Sequence, residues 1–378
     1  MTKTAKVSDI LGIINKLAPP FLAESWDNVG LQTGDPTTDV TAVMVALDPG
    51  KAVIEEAVAA GCTLLVTHHP LIFKPLKSIS AATPLGKSLH SAIRNNLSVI
   101  SMHTNYDCAT GGLNDVLAAR LGLEHCQVLQ ATANQELVKL VVFVPETSLD
   151  SLRRSLLPFA ESLGAYRDCS FAAAGQGTFT PQEGAHPTIG TVGTFEQVPE
   201  YRLELLLDRE RLTQAIKALM SAHPYEEPAF DIYPLANTGI QRGLGRIGRL
   251  SSPLPLGEFA RQVAGNLYAN GVRFVGKPDT IVSKVALCSG GGISVMRSAV
   301  RAGAHVLVTG DVKYHEARDA EDLGIALIDA GHFSTEIIMV DAVRELLDLG
   351  LKGAGFDGIR ILPATTEHDP YQYLTGSQ

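Results

Sequence analysis

The stretch AVAAGCTLLVT at residues 57–67 recurs without gaps as AVRAGAHVLVT at residues 299–309, with seven identities in eleven positions. A match of that density marks an internal repeat. It continues upstream as a helix preceded by a strand, Val45-Ala46-Leu47 against Val285-Ala286-Leu287, with a two-residue length difference in the loop between. Downstream, each copy reaches a further strand that ends in His-x-x-x-acid, His103 with Asp107 in the first and His332 with Glu336 in the second. The alignment sets His68-His69 opposite Gly310-Asp311. The chain is therefore expected to contain two related α/β halves.

Short runs rich in β-branched and apolar residues, at 42–47, 63–66, 97–102, 284–287, 305–308 and 325–328, read as buried strands. Helical patterns lie between most of them, as at 51–60 after Asp48-Pro49-Gly50 and at 293–302 after the glycine run 290–292. Alternating units of this kind predict α/β architecture with largely buried sheets. The strands also end in polar residues: Thr67-His68-His69-Pro70, His103 through Asp107, Gly310-Asp311, and Asp329 through His332. Open α/β sheets present ligand sites at the carboxyl ends of their strands, so the active face can be read in advance.

At 378 residues and 45% hydrophobic composition the chain has material for two domains. It carries 31 Lys and Arg against 40 Asp and Glu, a net charge of −9, and no basic run, which argues against a nucleic-acid partner. Residues 1–20 lack a cleavable signal pattern; Val7, Ile10, Leu11, Ile14 and Leu17 recur instead at helical spacing and predict an amphipathic helix docked on a core. No apolar run reaches the roughly 18 residues of a membrane span. The five cysteines are scattered and form no C-x-x-C pair, so neither a disulfide framework nor a thiolate zinc site is expected. A soluble, cytoplasmic protein is the expectation, with Cys108 given no role despite its place beside Asp107.

His68, His69, Asp107, His332 and Glu336 supply imidazoles and carboxylates, the ligand set that zinc, iron and manganese accept without thiolate. Consecutive side chains at a strand end diverge, so His68 and His69 suit two ions side by side better than one. Glu336 lies one helical turn from His332, near Ser334 or Thr335 as a cap, and its two oxygens make it the candidate bridge. A single strand-end histidine is usually structural; it is the convergence of a His-His-Pro turn and two His-x-x-x-acid turns that points to a metal site. His103 can be a ligand, an orienter of Asp107 or a proton carrier, and orienting Asp107 is the preferred role. Asp311, Tyr314 and His315 are candidates to line the site. Asp27 and Asn28, beside the single tryptophan, fit turn chemistry as well as function.

The phrases SWDNVGLQTGD (25–35), VTHHPLIF (66–73), HTNYD (103–107), GDVKYHEARDA (310–320) and DAGHFSTE (329–336) together resemble the Nif-three-like family, the GTP cyclohydrolase type 2 homologues. The resemblance covers roughly residues 5–127 and 240–365. It implies a Nif-three-like domain in two parts, 1–127 and 237–378. It further implies that His69, Asp107 and Glu336 hold one metal while His68, His332 and Glu336 hold the other, and that the chain assembles as ring-shaped homo-oligomers, commonly hexamers.

Residues 128–236 read as an insert. Strands at 137–144, 166–171, 201–207 and 230–233, with helices at 148–163 and 209–220, compose a ferredoxin-like βαββαβ unit, and 175–187 reads as a Gly-rich loop. The phrase His223-Pro224-Tyr225-Glu226 resembles the same stretch of CutA and P-II-like folds and suggests an assembly or sensing module; His223 itself is expected to be structural.

Two functions follow. One is a metal-dependent hydrolase acting on a nucleotide or related small molecule, with two divalent ions per subunit activating a water and His103 or His315 moving protons. The family name implies opening of the guanine ring of GTP. The chain shows no Walker loop or Rossmann fingerprint, so phosphoester, amide and cyclic-amidine substrates are equally compatible. The other is a non-enzymatic metal store, chaperone or regulatory scaffold.

Overall fold

The computed structural model describes residues 4–374 and divides the chain into two compact units, Met1–Ala133 with Arg242–Gln378, and Asn134–Gln241. Along the first unit the chain forms helix Val7–Leu17 and strands β1 (Gly30–Thr33), β2 (Ala42–Ala46), β3 (Leu64–Thr67), β4 (Ser98–Ser101) and β5 (Glu124–Asn134). The second unit contributes β6 (Leu137–Pro145), β7 (Ser170–Phe179), β8 (Glu196–Asp208) and β9 (Phe230–Pro234). The chain then returns through β10 (Gln241–Pro255), β11 (Arg273–Val275), β12 (Ile281–Leu287), β13 (Val306–Thr309), β14 (Ala326–Asp329) and β15 (Arg360–Pro363).

The repeat is visible in the sheets. One runs β1-β4-β3-β2-β15 and the other β11-β14-β13-β12-β10-β5. In each, three parallel strands in reverse sequence order (β4-β3-β2 and β14-β13-β12) are flanked on one side by an antiparallel edge strand, β1 or β11. The flank on the other side differs, parallel β15 in one sheet and antiparallel β10 in the other.

The central parallel strands are mostly apolar because both faces are covered. Val43 and Val45 of β2 meet Val285 and Leu287 of β12 and Val306 and Val308 of β13 in one large core, shared with Ile10 and Ile14 of the first helix and Val343 and Leu347 of helix Met339–Gly353. The alternate residues face outward to separate helical layers: Ala42, Met44 and Ala46 pack with Val53, Ile54 and Leu89, and Ala286 and Leu307 with Met296 and Ala299. Side chains of successive strand residues point to opposite faces, so a run with no polar alternation must be buried twice. All six strands expected in the two halves form, each within a few residues of its expected ends.

The second unit has strand order β7-β8-β6-β9, antiparallel throughout. With helices Leu149–Leu156 and Leu212–Ala222 between the strands, this is ferredoxin-like connectivity. Val138, Leu140, Val142 and Val144 alternate onto the helices, against Leu152, Leu156 and Leu219. Its edges fall at 134 and 241 rather than 128 and 236, because residues 128–133 belong to β5 in the six-stranded sheet and Gln135 N–H donates to the Ile240 carbonyl. The first helix stops at Leu156, short of the expected 163, since Pro158 lacks the amide that would continue the ladder. Residues 175–179 are strand, not loop: a Cβ on Gly177 would lie 2.0 Å from Glu200 Oε2, so glycine here makes room across the β7–β8 pair.

No helix among the described residues is long and apolar enough to cross a membrane.

Candidate metal centre

The candidate ligands all lie just beyond strand ends in the first unit. His68 and His69 follow β3; His103 follows β4 and caps the short helix Thr104–Cys108 that carries Asp107. Beyond β14 the chain turns at Gly331, with φ +84°, into the helix His332–Glu336. Gly331, not Ser334 or Thr335, is the N-cap; Thr335 lies inside the helix, where its hydroxyl accepts from Gly290 N–H and so holds the turn after β12 against it. Gly290 has φ +56°, and a Cβ there would stand 2.2 Å from Glu336 Oε1. Backbone approaches the cluster so closely at that point that a side chain would displace its central carboxylate.

The cluster converges on Glu336. Its Oε2 lies 3.0 Å from His69 Nε2 and 3.0 Å from His332 Nε2, while His68 Nε2 lies 3.8 Å from Glu336 Oε1 and 3.8 Å from Asp107 Oδ1. The ligand atoms of His68, His69 and His103 form one mutual group within 4.8 Å, and those of His69, His332 and Glu336 another. His68 Nε2 and Glu336 Oε2 are buried and make no hydrogen bond. Buried polar atoms almost always have partners, so two such orphans within one nest of imidazoles and carboxylates fit a cation.

Each imidazole is held by its other nitrogen. His68 Nδ1 donates to the Met102 carbonyl at 2.9 Å, His69 Nδ1 to Asp48 at 2.7 Å, His103 Nδ1 to Asp27 at 2.9 Å and His332 Nδ1 to Asp311 at 2.7 Å. A proton fixed on Nδ1 leaves the Nε2 lone pair of the neutral ring for a cation, and partners of this kind set ring orientation in metal sites. Asp107 in turn accepts from Ser289 Oγ at 3.0 Å, and Asn114 donates to the Asp107 carbonyl.

The electrostatics are those of a ligand set that trades protons for cations. Burial opposes charge on His69, but Asp48 and Glu336 raise it to about 10; Glu336, against burial, and then Asp311 raise His332 to about 9. Burial pushes Asp107 up. Burial acts the same way on Glu336, where His68, His332 and His69 outweigh it and hold the carboxyl well below its ordinary value. Cation binding at such a site releases protons.

All five expected ligands therefore stand together. His69 and His332 meet on one oxygen of Glu336, while His68 lies beside Asp107 and the other oxygen. The reason is burial and direction, for His68 is fully buried and turned toward Asp107 while His69 is partly exposed toward His332. His103 does not orient Asp107; its Nδ1 is taken by Asp27 and its free nitrogen faces His68 and His69. His315 is exposed on helix Tyr314–Leu323, with its ring against Tyr314, and has no contact with the cluster among the described residues. Asp311, with φ +58°, joins the site through His332 rather than capping a helix. Asp27 belongs to the site as well, and burial notwithstanding, its bonds to His103 and Thr104 lower its pKa to about 2. Sequence reasoning gave no role to Asp48 or Ser289, although each lies two residues beyond a strand end, close to the position that singled out His68 and His69. A cavity of about 780 Å³ opens beside the cluster, lined by His69, His332, Asp48, Asp311, Arg273 and Tyr373 among others.

His223, in the second unit, is structural. Its Nε2 donates to the Phe143 carbonyl at 2.9 Å and its Nδ1 accepts from Tyr225 N–H at 3.1 Å, so the ring is neutral with both nitrogens used; burial lowers its pKa.

The profile of the Duf34/NIF3 (NGG1p interacting factor 3) family matches residues 5–370. The chain is 39% identical over 373 residues to a Halalkalibacterium halodurans protein named GTP cyclohydrolase 1 type 2 homolog, covering 98% of this chain and all of that one. A Bacillus subtilis protein of the same name is 38% identical over 375 residues, covering 99% and 100%. Among solved structures, a Bacillus cereus protein related to NIF3 superposes with a TM-score of 0.93 at 38% identity, covering 99% of this chain and 100% of that one. The match extends over both halves and the unit between them, and the chain belongs to the Duf34/NIF3 family.

Proposed function

We propose that this chain is a metal-dependent hydrolase that holds two divalent cations, zinc, iron or manganese, and acts on a nucleotide or related small molecule. The observation that carries the reading is the set of four histidines, each tied by Nδ1 to an acceptor, whose Nε2 atoms gather with the orphaned oxygen of Glu336 and with Asp107. His69 and His332 with one Glu336 oxygen would hold one cation, and His68 and Asp107 with the other oxygen the second. Such a pair supplies Lewis-acid polarisation and lowers the pKa of a coordinated water.

The chain's own residues do the rest. Asp27 holds the His103 ring with Nε2 facing the cluster, where it can take a proton from water and return it to a leaving group. Asp48 and Asp311 keep His69 and His332 in one tautomer. Arg273, beside the cavity, is anchored by Asp329 and the Val312 carbonyl and stays largely exposed, which suits an anionic substrate. His315 is given no part. The curated relatives' name supports a nucleotide-like substrate. Assembly as a homohexamer belongs to the same reading, as does an assembly or sensing role for the CutA-like second unit; light scattering tests the first.

The test is a screen of metal-quantified protein against nucleotides, phosphoesters and cyclic amidines. Glu336→Ala is expected to lose at least one cation and all turnover while staying folded by circular dichroism. Full activity in a metal-depleted Glu336→Ala protein overturns the proposal, and full metal content without turnover on any class favours the scaffold instead.

A further inference from the structure

We propose that Trp26 and Phe73 form, over His103, a stacking platform for a flat conjugated ring of the ligand handled at the metal centre. The function proposed above supplies the reason for a ligand there; the platform itself stands on separate observations.

Trp26 is the single tryptophan of the chain, yet it is 57% exposed, and Phe73 beside it is 45% exposed. Large aromatic rings contribute most when buried, so an exposed pair is informative about binding. The two ring centroids lie 5.8 Å apart, and both rings rest against His103, at 6.0 Å from Trp26 and 6.4 Å from Phe73. His103 stands 5.1 Å from His68 and 5.5 Å from His69, centroid to centroid. A ring seated on the platform is thus one imidazole away from the cluster.

The pair is also held rigid. On one side of the platform Asp27 binds His103 and the backbone and hydroxyl of Thr104. Next to it, Asn28 Nδ2 donates to the Ile72 carbonyl at 2.6 Å and to Gln32 Oε1, which in turn accepts from Ile72 N–H. The residues following Trp26 and the residue preceding Phe73 are therefore cross-tied to each other and to the site. This accounts for Asp27 and Asn28 of the SWDN phrase better than turn geometry does, because their bonds reach 44 to 77 residues along the chain. Exposed aromatic rings fixed in place lose little entropy on binding, which is how preorganised stacking sites gain affinity.

Because the chain has one tryptophan, its fluorescence reports this place alone. Metal-loaded protein is titrated with guanosine, adenosine and their triphosphates, with inorganic tripolyphosphate as the ring-free control, and affinities are measured by calorimetry. Saturable fluorescence change is expected with at least one of the ring-bearing probes and none with tripolyphosphate. Trp26→Ala and Phe73→Ala should each weaken binding about tenfold, with Trp26→Phe restoring most of it, at unchanged metal content and unchanged mass by light scattering. The proposal falls if no ring-bearing probe changes the fluorescence, if tripolyphosphate changes it equally, or if Trp26→Ala keeps full affinity. It falls too if Trp26→Ala splits the assembly, which would make this face a contact between copies. Turnover is not read, so a chain that proves to be no hydrolase leaves these outcomes intact.

Discussion

Asp48, Asp311 and Asp27 show how single carboxylates act through a neighbour. Each accepts a hydrogen bond from an imidazole Nδ1, so removing it frees the ring to rotate and to move its proton to the nitrogen that faces the cluster. Asp48→Ala is expected to weaken metal binding by about tenfold or more, read by competition with a chelator. Asp27 adds a stability term. Its side chain is fully buried and its pKa is depressed from 3.8 to about 2, so the folded state favours the charged form. A depressed carboxylate stabilises above its unfolded pKa, by about 2 kcal/mol here, and the benefit is lost as pH falls through the folded value. The stability advantage of the wild type over Asp27→Asn, measured by urea unfolding, should therefore be full at pH 6 and fade between about pH 4 and 2. The sequence marks these aspartates only as polar residues near strand ends or turns; which imidazole each one meets depends on residues tens of positions away.

Turns after strands, more than the strands themselves, shape the site. Gly290→Ala puts a Cβ into contact with Glu336 in a backbone conformation that alanine resists, and is expected to lower bound metal content well below that of the wild type by elemental analysis. The glycine run was legible as a turn; its closeness to Glu336, 46 residues on, was not. A second link between elements is Arg246 of β10, buried and bound to both oxygens of Asp115 in helix Leu113–Arg120, with further bonds to the carbonyls of Ala109, Gly243 and Gly245. Asp115→Ala strands that guanidinium without its counter-charge and is expected to cost about 3 kcal/mol in denaturant unfolding, whereas an exposed pair such as Arg344 with Asp341 should cost well under 1 kcal/mol.

At the scale of the molecule, all the candidate ligands lie in one of the two compact units. A cation that binds only the folded state stabilises by mass action, about 2.7 kcal/mol at a hundredfold excess over its dissociation constant. Chelation is therefore expected to lower the calorimetric melting of the ligand-bearing unit by several degrees and leave that of residues 134–241 where it was. What the sequence by itself determined is the periodic and local part. The repeat and the doubly apolar runs specified two related α/β halves, the alternation at 138–144 placed a sheet face on helices, and polar strand ends singled out five candidate ligands, because side-chain period and strand direction are properties of a few adjacent residues. Only the tertiary structure decided which ligands face one another. His68 and His69 are neighbours in sequence, yet one is buried toward Asp107 and the other opens toward His332; Asp27 meets a histidine 76 residues away, and Asp48 lies with His69 only because β2 and β3 are adjacent. Such pairings are set by sheet order and by the angle at which each chain leaves its strand, and no local pattern records either.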